Sequence, residues 1–254
     1  IQNTKGFCFG IDSVILSDFA KSIKKESKVV DLGTGTGIIG LLLCKKTELK
    51  EIVGIEIQKE VAEMANRSIK LNKLEDKFKI LNTDINKIFE DKLLEKNKFD
   101  VVVMNPPYKE KGTGKISEVD SKIISRHEVK ATLSDFIKVA SNLLKDKGEI
   151  YIVHKPERMP DIIQKMRENK IEHVVYPMVI EKFGVVQFDF EQEGDFVYLT
   201  RFDLYSNKKT EASLILIKGI KGANKFFKIL EPLYIYEENG EYTKEIKEIY
   251  NIGE

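Results

Sequence analysis

The chain has 254 residues, of which 42% are hydrophobic and 33% are charged, and this composition excludes a disordered protein. Its 42 basic and 41 acidic residues almost cancel, so any surface that binds a polyanion must be a local one. Cys8 and Cys44 are the only cysteines, which argues against a disulfide framework and favours the reducing cytoplasm. No apolar run reaches about 18 residues, the length of a membrane span, so we expect no membrane partner.

Predicted strands and helices alternate over residues 11–169. The first element is a helix that follows the Gly- and Phe-rich residues 6–10 and that Asp12 or Ser13 could cap. Strands are predicted at 28–32, 51–57, 78–81, 99–104 and 149–154, and helices at 38–46, 58–71, 133–144 and 160–169. Alternation of this kind predicts a parallel sheet with helices on both faces.

Three other stretches of the chain break this pattern. Residues 109–130 lack clear periodicity and contain Gly112 and Gly114, so we predict a long mobile loop above the strand ends. From 172 to 220 one strand follows another, which predicts antiparallel pairing. Residues 237–254 are acidic, and we interpret them as a solvated terminal segment.

A glycine-rich turn follows the first strand in the sequence Val30–Gly37, VDLGTGTG. Gly33, Gly35 and Gly37 allow the backbone to approach a ligand closely and to donate hydrogen bonds to it. The spacing is GxGxG, with Asp31 two residues ahead, whereas the dinucleotide fingerprint is GxGxxG. The difference favours S-adenosylmethionine over NAD, and a tight turn without a ligand is the simpler alternative.

Two acidic residues follow the next two strands. Glu56 ends the second strand, where a carboxylate can accept hydrogen bonds from both hydroxyls of a ribose. Asp84 comes just after the third strand and could meet the adenine amino group of the same cofactor. The alternatives are an ordinary solvated acid for Glu56 and a helix cap or Asx-turn for Asp84.

The fourth strand ends at Asn105-Pro106-Pro107-Tyr108. Consecutive prolines cannot continue a sheet ladder and hold the chain stiffly extended. A simple turn is one interpretation. In the other, the strand end presents an amide, a free carbonyl and an aromatic ring to a planar substrate with an amino group, and these four residues are the predicted catalytic residues.

Taken together, these segments resemble the class I S-adenosylmethionine-dependent methyltransferases over about residues 5–160. The resemblance implies a Rossmann-like α/β fold with a mostly parallel seven-stranded sheet, helices on both faces and an antiparallel C-terminal part within one domain, 1–254. It also implies that the cofactor lies over Asp31–Gly37, with its ribose on Glu56 and its adenine near Asp84. NPPY narrows the resemblance to enzymes that methylate an amino group.

Four further segments resemble the bacterial tRNA adenine-N6 methyltransferases, which modify an adenosine beside the anticodon of a valine tRNA. They are FGIDSVIL at 9–16, SRHEV at 125–129, VHKPERM at 153–159 and ENGEYTKEIKEIY at 238–250. The chain departs from those relatives in an apparent insertion around 176–196, within the predicted antiparallel part at 172–220. The resemblance therefore implies tRNA as the partner, with no metal, while the insertion bears on the identity of the substrate.

Several basic residues could contact RNA phosphates. The candidates are Lys155, Arg158, Lys218, Lys221, Lys225 and Lys228. A solvated face is the ordinary interpretation of lysines at 218–228, and a path for an RNA backbone is the alternative. The string Arg126-His127-Glu128 is more typical of a salt-bridged surface cluster than of a catalytic set.

The expected chemistry is direct transfer of a methyl group to the exocyclic amine of an adenosine in tRNA. Asn105 Oδ1 and the Pro106 carbonyl would each accept one N–H of that amine, and Tyr108 would stack on the base. Other amino-group acceptors remain open, namely a protein glutamine amide, guanine N2 of rRNA or adenine in DNA. A non-enzymatic nucleotide-binding module is a further alternative, which NPPY disfavours.

Overall fold

The computed structural model describes residues 1, 10–108, 131–182, 185–193, 196–205 and 212–252. The predicted loop at 109–130, with the string Arg126-His127-Glu128, lies outside the described residues. Most of the turn at 6–10 also lies outside them.

The first part of the chain alternates strands and helices as predicted. In order, it contains α1 (Ile11–Phe19), β1 (Lys28–Leu32), α2 (Ile38–Lys46), β2 (Glu51–Glu56), α3 (Lys59–Leu71), β3 (Phe78–Asn82), β4 (Phe99–Met104), α4 (Leu133–Leu143), β5 (Leu144–His154) and α5 (Met159–Glu168). A capping box begins α4, because the Thr132 hydroxyl accepts from the Asp135 amide and the Asp135 carboxylate accepts from the Thr132 amide. Short 3₁₀ turns cover Ile85–Lys87 and Pro156–Arg158.

Strands dominate the second part of the chain. They are β6 (Ile171–Tyr176), β7 (Met178–Lys182), β8 (Val185–Glu193), β9 (Phe196–Tyr205), β10 (Ala212–Lys221), β11 (Phe227–Ile229) and β12 (Leu233–Tyr236), and helix α6 (Lys244–Tyr250) follows them. The strands β8 and β9 pair antiparallel in a two-stranded sheet of their own. The additional residues around 176–196 therefore form β7 and the first strand of this hairpin.

The expected Rossmann-like sheet is present, with strands in the order β6-β10-β5-β4-β1-β2-β3. Its central pairs are parallel, and β10 is antiparallel to both of its neighbours β5 and β6. Three further strands enlarge the predicted seven-stranded sheet to ten strands. The reason is Pro177, which separates β6 from β7 so that both pair along the long strand β10, and each then pairs with a short parallel strand, β11 or β12.

Alternate residues of the central strands point to opposite faces of the sheet. In β4, Val102 and Met104 pack with α4 and α5, whereas Val101 and Val103 pack with α1, α2, α3 and α6. All four of these side chains are at most 2% exposed. Burial on both faces explains why the strand is almost continuously apolar.

The structure corrects one prediction about the chain ends and adds to another. Helix α1 is capped by Gly10 without a side-chain hydrogen bond, so neither Asp12 nor Ser13 caps it. Most of residues 237–252 are exposed, but the segment is also anchored, because α6 packs on α1 and β12 and buries Ile246 completely. The Thr243 hydroxyl caps α6 by accepting from the Ile246 amide at 3.3 Å.

Candidate active site

The predicted catalytic and cofactor-binding residues lie at one edge of the sheet, where the parallel strands β1 to β5 end. Glycine-rich residues 33–37 follow β1, Glu56 ends β2 and Asp84 follows β3. Asn105 follows β4, and His154 ends β5. Ligands of open α/β sheets bind outside the carboxyl ends of the strands, so this edge is the candidate site.

The glycine-rich turn has a backbone that glycine adopts readily. Gly33, Gly35 and Gly37 have φ values of +71°, +58° and +82°, and Gly37 directly precedes α2. No described heavy atom lies within 4 Å of the position that a Cβ of Gly35 would take, so the turn faces open space there. The Thr34 amide donates to the Ile55 carbonyl at 3.0 Å, which fixes the turn against β2.

Glu56 lies directly beside this turn and is only 6% exposed. Its Oε2 accepts the Gly35 amide at 3.0 Å, and its Oε1 accepts the Gln58 amide at 2.8 Å. A carboxylate at the end of this strand is the kind of group that binds ribose hydroxyls in open α/β folds. The carboxylate is thus held by the backbone in the place where a ribose is expected.

Asp31 is the most deeply buried acid of the site, with no exposed surface. Its Oδ2 accepts from the Thr34 hydroxyl at 2.6 Å, whereas its Oδ1 finds no hydrogen bond of normal geometry among the described residues. Burial raises the pKa of Asp31 to about 7, and Glu56 adds to the shift, while the Thr34 hydroxyl and the nearby Gly40 amide oppose it. An orphaned acceptor beneath a glycine-rich turn fits a ligand that brings donors or positive charge.

The ionisation of Asp31 should make the stability of the cofactor-free protein depend on pH. The folded-state pKa lies above the ordinary value of 3.8, so the folded state binds the proton more tightly than the unfolded chain. The associated stability is complete below about 3.8 and is lost as the pH rises to about 7. Asparagine cannot ionise, so Asp31→Asn does not lose this stability. The unfolding free energy of the variant minus that of wild type should therefore rise by about 2 kcal/mol between pH 5 and pH 8. Urea unfolding at both pH values measures the gain, and a stability difference that stays constant or shrinks would contradict it.

Asp84 has the role that the simpler interpretation gave it. Its Oδ1 accepts the Asn86 amide at 2.9 Å and caps the 3₁₀ turn Ile85–Lys87. The residue nevertheless lies at the same sheet edge as Glu56, one strand farther out. Its contact with an adenine remains a prediction.

The Asn105 side chain is held by helix α1. Its Nδ2 donates to Asp12 Oδ2 at 3.1 Å and lies 3.4 Å from the Ser13 hydroxyl. Because a carboxylate only accepts hydrogen bonds, the nitrogen end of the amide must face Asp12. The other end, Oδ1, is therefore the part of the amide that can accept from a substrate.

Tyr108 shares the same carboxylate. Its hydroxyl donates to Asp12 Oδ2 at 2.9 Å, and burial followed by the Asp12 charge raises the tyrosine pKa well above its ordinary value. The ring lies 5.0 Å from the ring of His154 at an angle of 59°, with Lys155 Nζ 5.7 Å from its centre. The hydroxyl is thus a protonated donor at neutral pH, and the ring is held in one orientation.

His154 is neutral in this site. Its Nδ1 accepts the Lys155 amide at 2.8 Å, so the single ring proton is on Nε2. Burial lowers the pKa of His154 to about 4, and the positive charge of Arg158 adds to this effect. A neutral and 1% exposed imidazole packs against Tyr108 without bringing a charge to the site.

The structure separates the predicted RNA-binding residues into two groups. Lys155 and Arg158 follow β5 directly and lie at the candidate site. In contrast, β10 runs antiparallel to β5, with Ile215 opposite His154 and Ile220 opposite Glu149, so Lys221 lies at the far edge of the sheet. Lys225 lies just before β11 and Lys228 lies within it, and β11 is at one lateral end of the sheet.

Lys218 and Lys221 make contacts within the protein that argue against a phosphate-binding role for these two lysines. Lys218 Nζ forms an ion pair with Glu149 at 2.7 Å. Lys221 Nζ donates to the Ser141 and Leu144 carbonyls at 2.6 and 2.7 Å and to Asn97 Oδ1 at 2.8 Å. Lys221 thus neutralises the C-terminal end of α4, where carbonyl groups lack partners within the helix.

Replacing Lys221 should therefore lower stability and leave RNA affinity unchanged. Lys221→Met keeps the apolar stem of the side chain but removes the donors, which should cost about 1.5–3 kcal/mol of unfolding free energy. Lys228→Met is the matched control, because Lys228 is exposed on the edge strand β11. Denaturant unfolding and tRNA titrations measure the two effects, and normal stability with weakened tRNA binding would contradict this role.

Sequence reasoning missed Asp12 and Ser13 as site residues. Both were interpreted as possible helix caps, and the bond from Asn105 to Asp12 joins positions 93 residues apart. Asp12 does lie inside FGIDSVIL, one of the segments that resemble tRNA methyltransferases. A carboxylate in an otherwise apolar helix start was the signal that could have indicated it.

The sheet order and the glycine-rich site define a class I methyltransferase, and comparison with known proteins gives its family. The methyltransferase small domain model matches residues 11–176, more than half of the chain, and the chain belongs to this family. S-adenosylmethionine is the cofactor of this class and of this chain, as predicted. The orphaned Asp31 oxygen, the open face at Gly35 and the carboxylate of Glu56 fit a cationic ligand that carries a ribose.

The chain is similar to proteins named tRNA1(Val) (adenine(37)-N6)-methyltransferase. That of Porphyromonas gingivalis W83 is 30% identical over 158 residues, which are 60% of this chain and 60% of the relative. The relative from Trichodesmium erythraeum is 25% identical, and the chain covers 64% of it, so the match spans less than two thirds of both relatives. That of Bacteroides thetaiotaomicron is 28% identical over 197 residues, covering 73% of this chain and 78% of the relative.

Solved structures agree on the fold. A predicted O-methyltransferase from Agrobacterium tumefaciens superposes with a TM-score of 0.69 at 19% identity and covers 94% of this chain and 95% of that one. A tRNA (m1A58) methyltransferase from Aquifex aeolicus gives 0.53 at 13% identity, covering 88% and 73%.

Within the described parts of the chain, no helix is long and apolar enough to span a membrane. The same residues include no group of three or more His, Cys, Asp or Glu side chains arranged to hold a metal ion.

Proposed function

We propose that this methyltransferase transfers the methyl group of S-adenosylmethionine to N6 of an adenosine in tRNA. The observation that carries the proposal is the orientation of Asn105, whose Nδ2 is bound to Asp12 so that Oδ1 can accept an N–H. The Asn105 amide oxygen and the Pro106 carbonyl offer two acceptors, which match the two N–H donors of an exocyclic amine, whereas a hydroxyl brings only one donor. The names of the relatives support adenosine in tRNA as the carrier of that amine.

In this mechanism the protein mainly positions the amine. The nitrogen lone pair of an aromatic amine is delocalised into the ring, which makes it a weak nucleophile. Asn105 Oδ1 and the Pro106 carbonyl accept its two N–H groups, so the lone pair is directed away from both acceptors and out of the plane of the base. When bound, S-adenosylmethionine would supply an electrophilic methyl group, with its sulfur as the leaving group. The product nitrogen then loses one proton to water, and orientation supplies much of the rate.

The residues directly after β5 border this acceptor position. Lys155 and Arg158 lie next to Tyr108 and His154, close to where the backbone of a bound RNA would enter. Both could contact phosphates, which adds salt-dependent affinity. A tRNA substrate would also place the protein in the cytoplasm, as the cysteine usage predicts.

Mass spectrometry of nucleosides tests the proposal. The purified protein is incubated with S-adenosylmethionine and total tRNA from a strain that lacks the gene, and the digested tRNA is compared before and after. We expect N6-methyladenosine to appear in the tRNA after incubation. Mapping of nuclease fragments then locates it. Parallel incubations use the protein, rRNA and DNA of the same strain, and methylation of one of these without any change in tRNA would overturn the proposal and select that alternative.

A further inference from the structure

We propose that Asp12 is a positioning residue for methyl transfer, which it serves by fixing the amide orientation of Asn105 and the place of Tyr108. This inference rests on the proposed amine methylation. It assigns a role to helix α1, which precedes the cofactor-binding strands in the chain. No atom of Asp12 takes part in the transfer itself.

One carboxylate joins the two polar side chains that follow β4. Asp12 Oδ2 accepts from Asn105 Nδ2 at 3.1 Å and from the Tyr108 hydroxyl at 2.9 Å. The other oxygen, Oδ1, accepts the Ser13 amide at 2.9 Å. The backbone of α1 therefore holds one side of the carboxylate, and the other side holds Asn105 and Tyr108.

Space around Asp12 is restricted by the chain before the helix. A Cβ at Gly10 would lie 2.8 Å from Asp12 Oδ1, closer than real Cβ contacts allow. Glycine at this position therefore allows the carboxylate to stay against its own helix. A larger residue at this position would force the Asp12 carboxylate to shift.

The orientation of Asn105 needs such a partner because the two ends of an amide have nearly the same shape. A flip by half a turn would present Nδ2 to the substrate amine, so two donors would face each other. A neutral partner could accept or donate and would permit both orientations. A carboxylate accepts only, so it selects the orientation in which Oδ1 faces the substrate.

Tyr108 gains a fixed position from the same contact. Its hydroxyl is bound to Asp12 while its ring contacts His154 at 5.0 Å between ring centres. Both ends of the tyrosine are thus held, so its ring keeps one orientation. Asp12 therefore couples the amine acceptor and the adjacent aromatic ring through a single group.

The main variant is Asp12→Asn, which keeps the size of the side chain but allows both orientations of the Asn105 amide. We expect kcat for tRNA methylation to fall at least about tenfold, with the Kd for S-adenosylmethionine and the KM for tRNA close to wild type. Asp18→Asn is the matched control on the same helix, since Asp18 pairs with Lys21 and Lys46 away from the site. A wild-type kcat in Asp12→Asn, or equal losses in both variants, would overturn the proposal.

A double-mutant cycle separates positioning from a general structural role. Because Asp12 acts partly through Asn105, adding Asp12→Asn to Asn105→Ala should cost clearly less in single-turnover rate than Asp12→Asn costs alone. Fully additive losses would show that Asp12 acts elsewhere and would overturn the proposal. Thermal unfolding of each variant checks that none of them has lost its fold.

Nuclear magnetic resonance gives a readout that does not depend on the substrate. The side-chain NH₂ protons of Asn105 should exchange slowly with water in the wild-type protein and clearly faster in Asp12→Asn. Unchanged exchange would overturn the positioning role even if tRNA is methylated. If the wild-type protein methylates no tRNA but these protons still exchange faster in Asp12→Asn, the proposed function is refuted. The positioning of Asn105 by Asp12 then still stands.

Discussion

Replacing Asn105 by alanine should reduce the rate of methyl transfer by about 100- to 1000-fold, as is typical for loss of one preorganised hydrogen-bonding group. The variant loses the acceptor that would bind one N–H of the substrate amine. Affinity for S-adenosylmethionine should stay close to wild type, because the contacts proposed for the cofactor come from β1, β2 and β3. Single-turnover kinetics with saturating tRNA and calorimetry with the cofactor measure the two quantities separately.

The control for this variant is Asn142→Ala. The Asn142 amide donates to the Lys138 carbonyl within α4, away from the strand ends, and its removal deletes the same chemical group. Its transfer rate should match wild type. Full turnover by Asn105→Ala would remove the proposed mechanism, and a large loss of cofactor affinity would mean that Asn105 belongs to the cofactor site instead.

The positions of the cofactor residues could be predicted from the sequence because each follows a strand end. The apolar runs KVVDL, EIVGIE and FDVVVM mark β1, β2 and β4, and parallel strands bring their carboxyl ends to one edge. Gly33, Glu56 and Asn105 therefore come together without any knowledge of side-chain packing. The apolar pattern of each strand and the parallel arrangement of the strands are therefore sufficient to predict this part of the site.

The contacts of Asp12 and Lys221 could not be predicted in the same way. Each joins residues far apart in sequence, 93 positions for Asp12 with Asn105 and 80 for Lys221 with Ser141. Such contacts depend on the register of β10 and on how α1 packs, and a single sequence does not encode either locally. Lysine spacing alone predicted a surface path, whereas the sheet register directs Lys221 to the end of α4.

Composition alone did not reveal how the C-terminal segment is anchored to the rest of the protein. Acidic residues dominate 237–254, but Ile246 and Ile249 lie three positions apart and form an apolar face of α6. Ile246 is completely buried against the same core as α1. The spacing of Ile246 and Ile249 therefore indicated a packed helix, which the charge of the segment did not.

Replacing Glu56 by alanine should weaken S-adenosylmethionine binding by about 10- to 100-fold, which corresponds to the loss of hydrogen bonds to a charged group. Glu56→Gln should lose less, because one oxygen can still accept. The control is Glu51→Ala on the same strand, since Glu51 pairs with Lys28 at the opposite end of β2. Calorimetry should give a wild-type Kd for that control, and unchanged affinity in Glu56→Ala or tight binding of NAD would contradict the assignment.

Glu56 also accepts the Gly35 amide, so its loss could act on the glycine-rich turn and not on the ribose. Binding of S-adenosylhomocysteine and its 2′-deoxy analogue to both proteins distinguishes these effects. If Glu56 binds the ribose, removing the hydroxyl should weaken binding to wild type but have little effect on Glu56→Ala, since the hydroxyl has already lost its acceptor. Equal losses in both proteins would place the role of Glu56 in the turn, where it orders Gly35 and leaves the ribose to another partner.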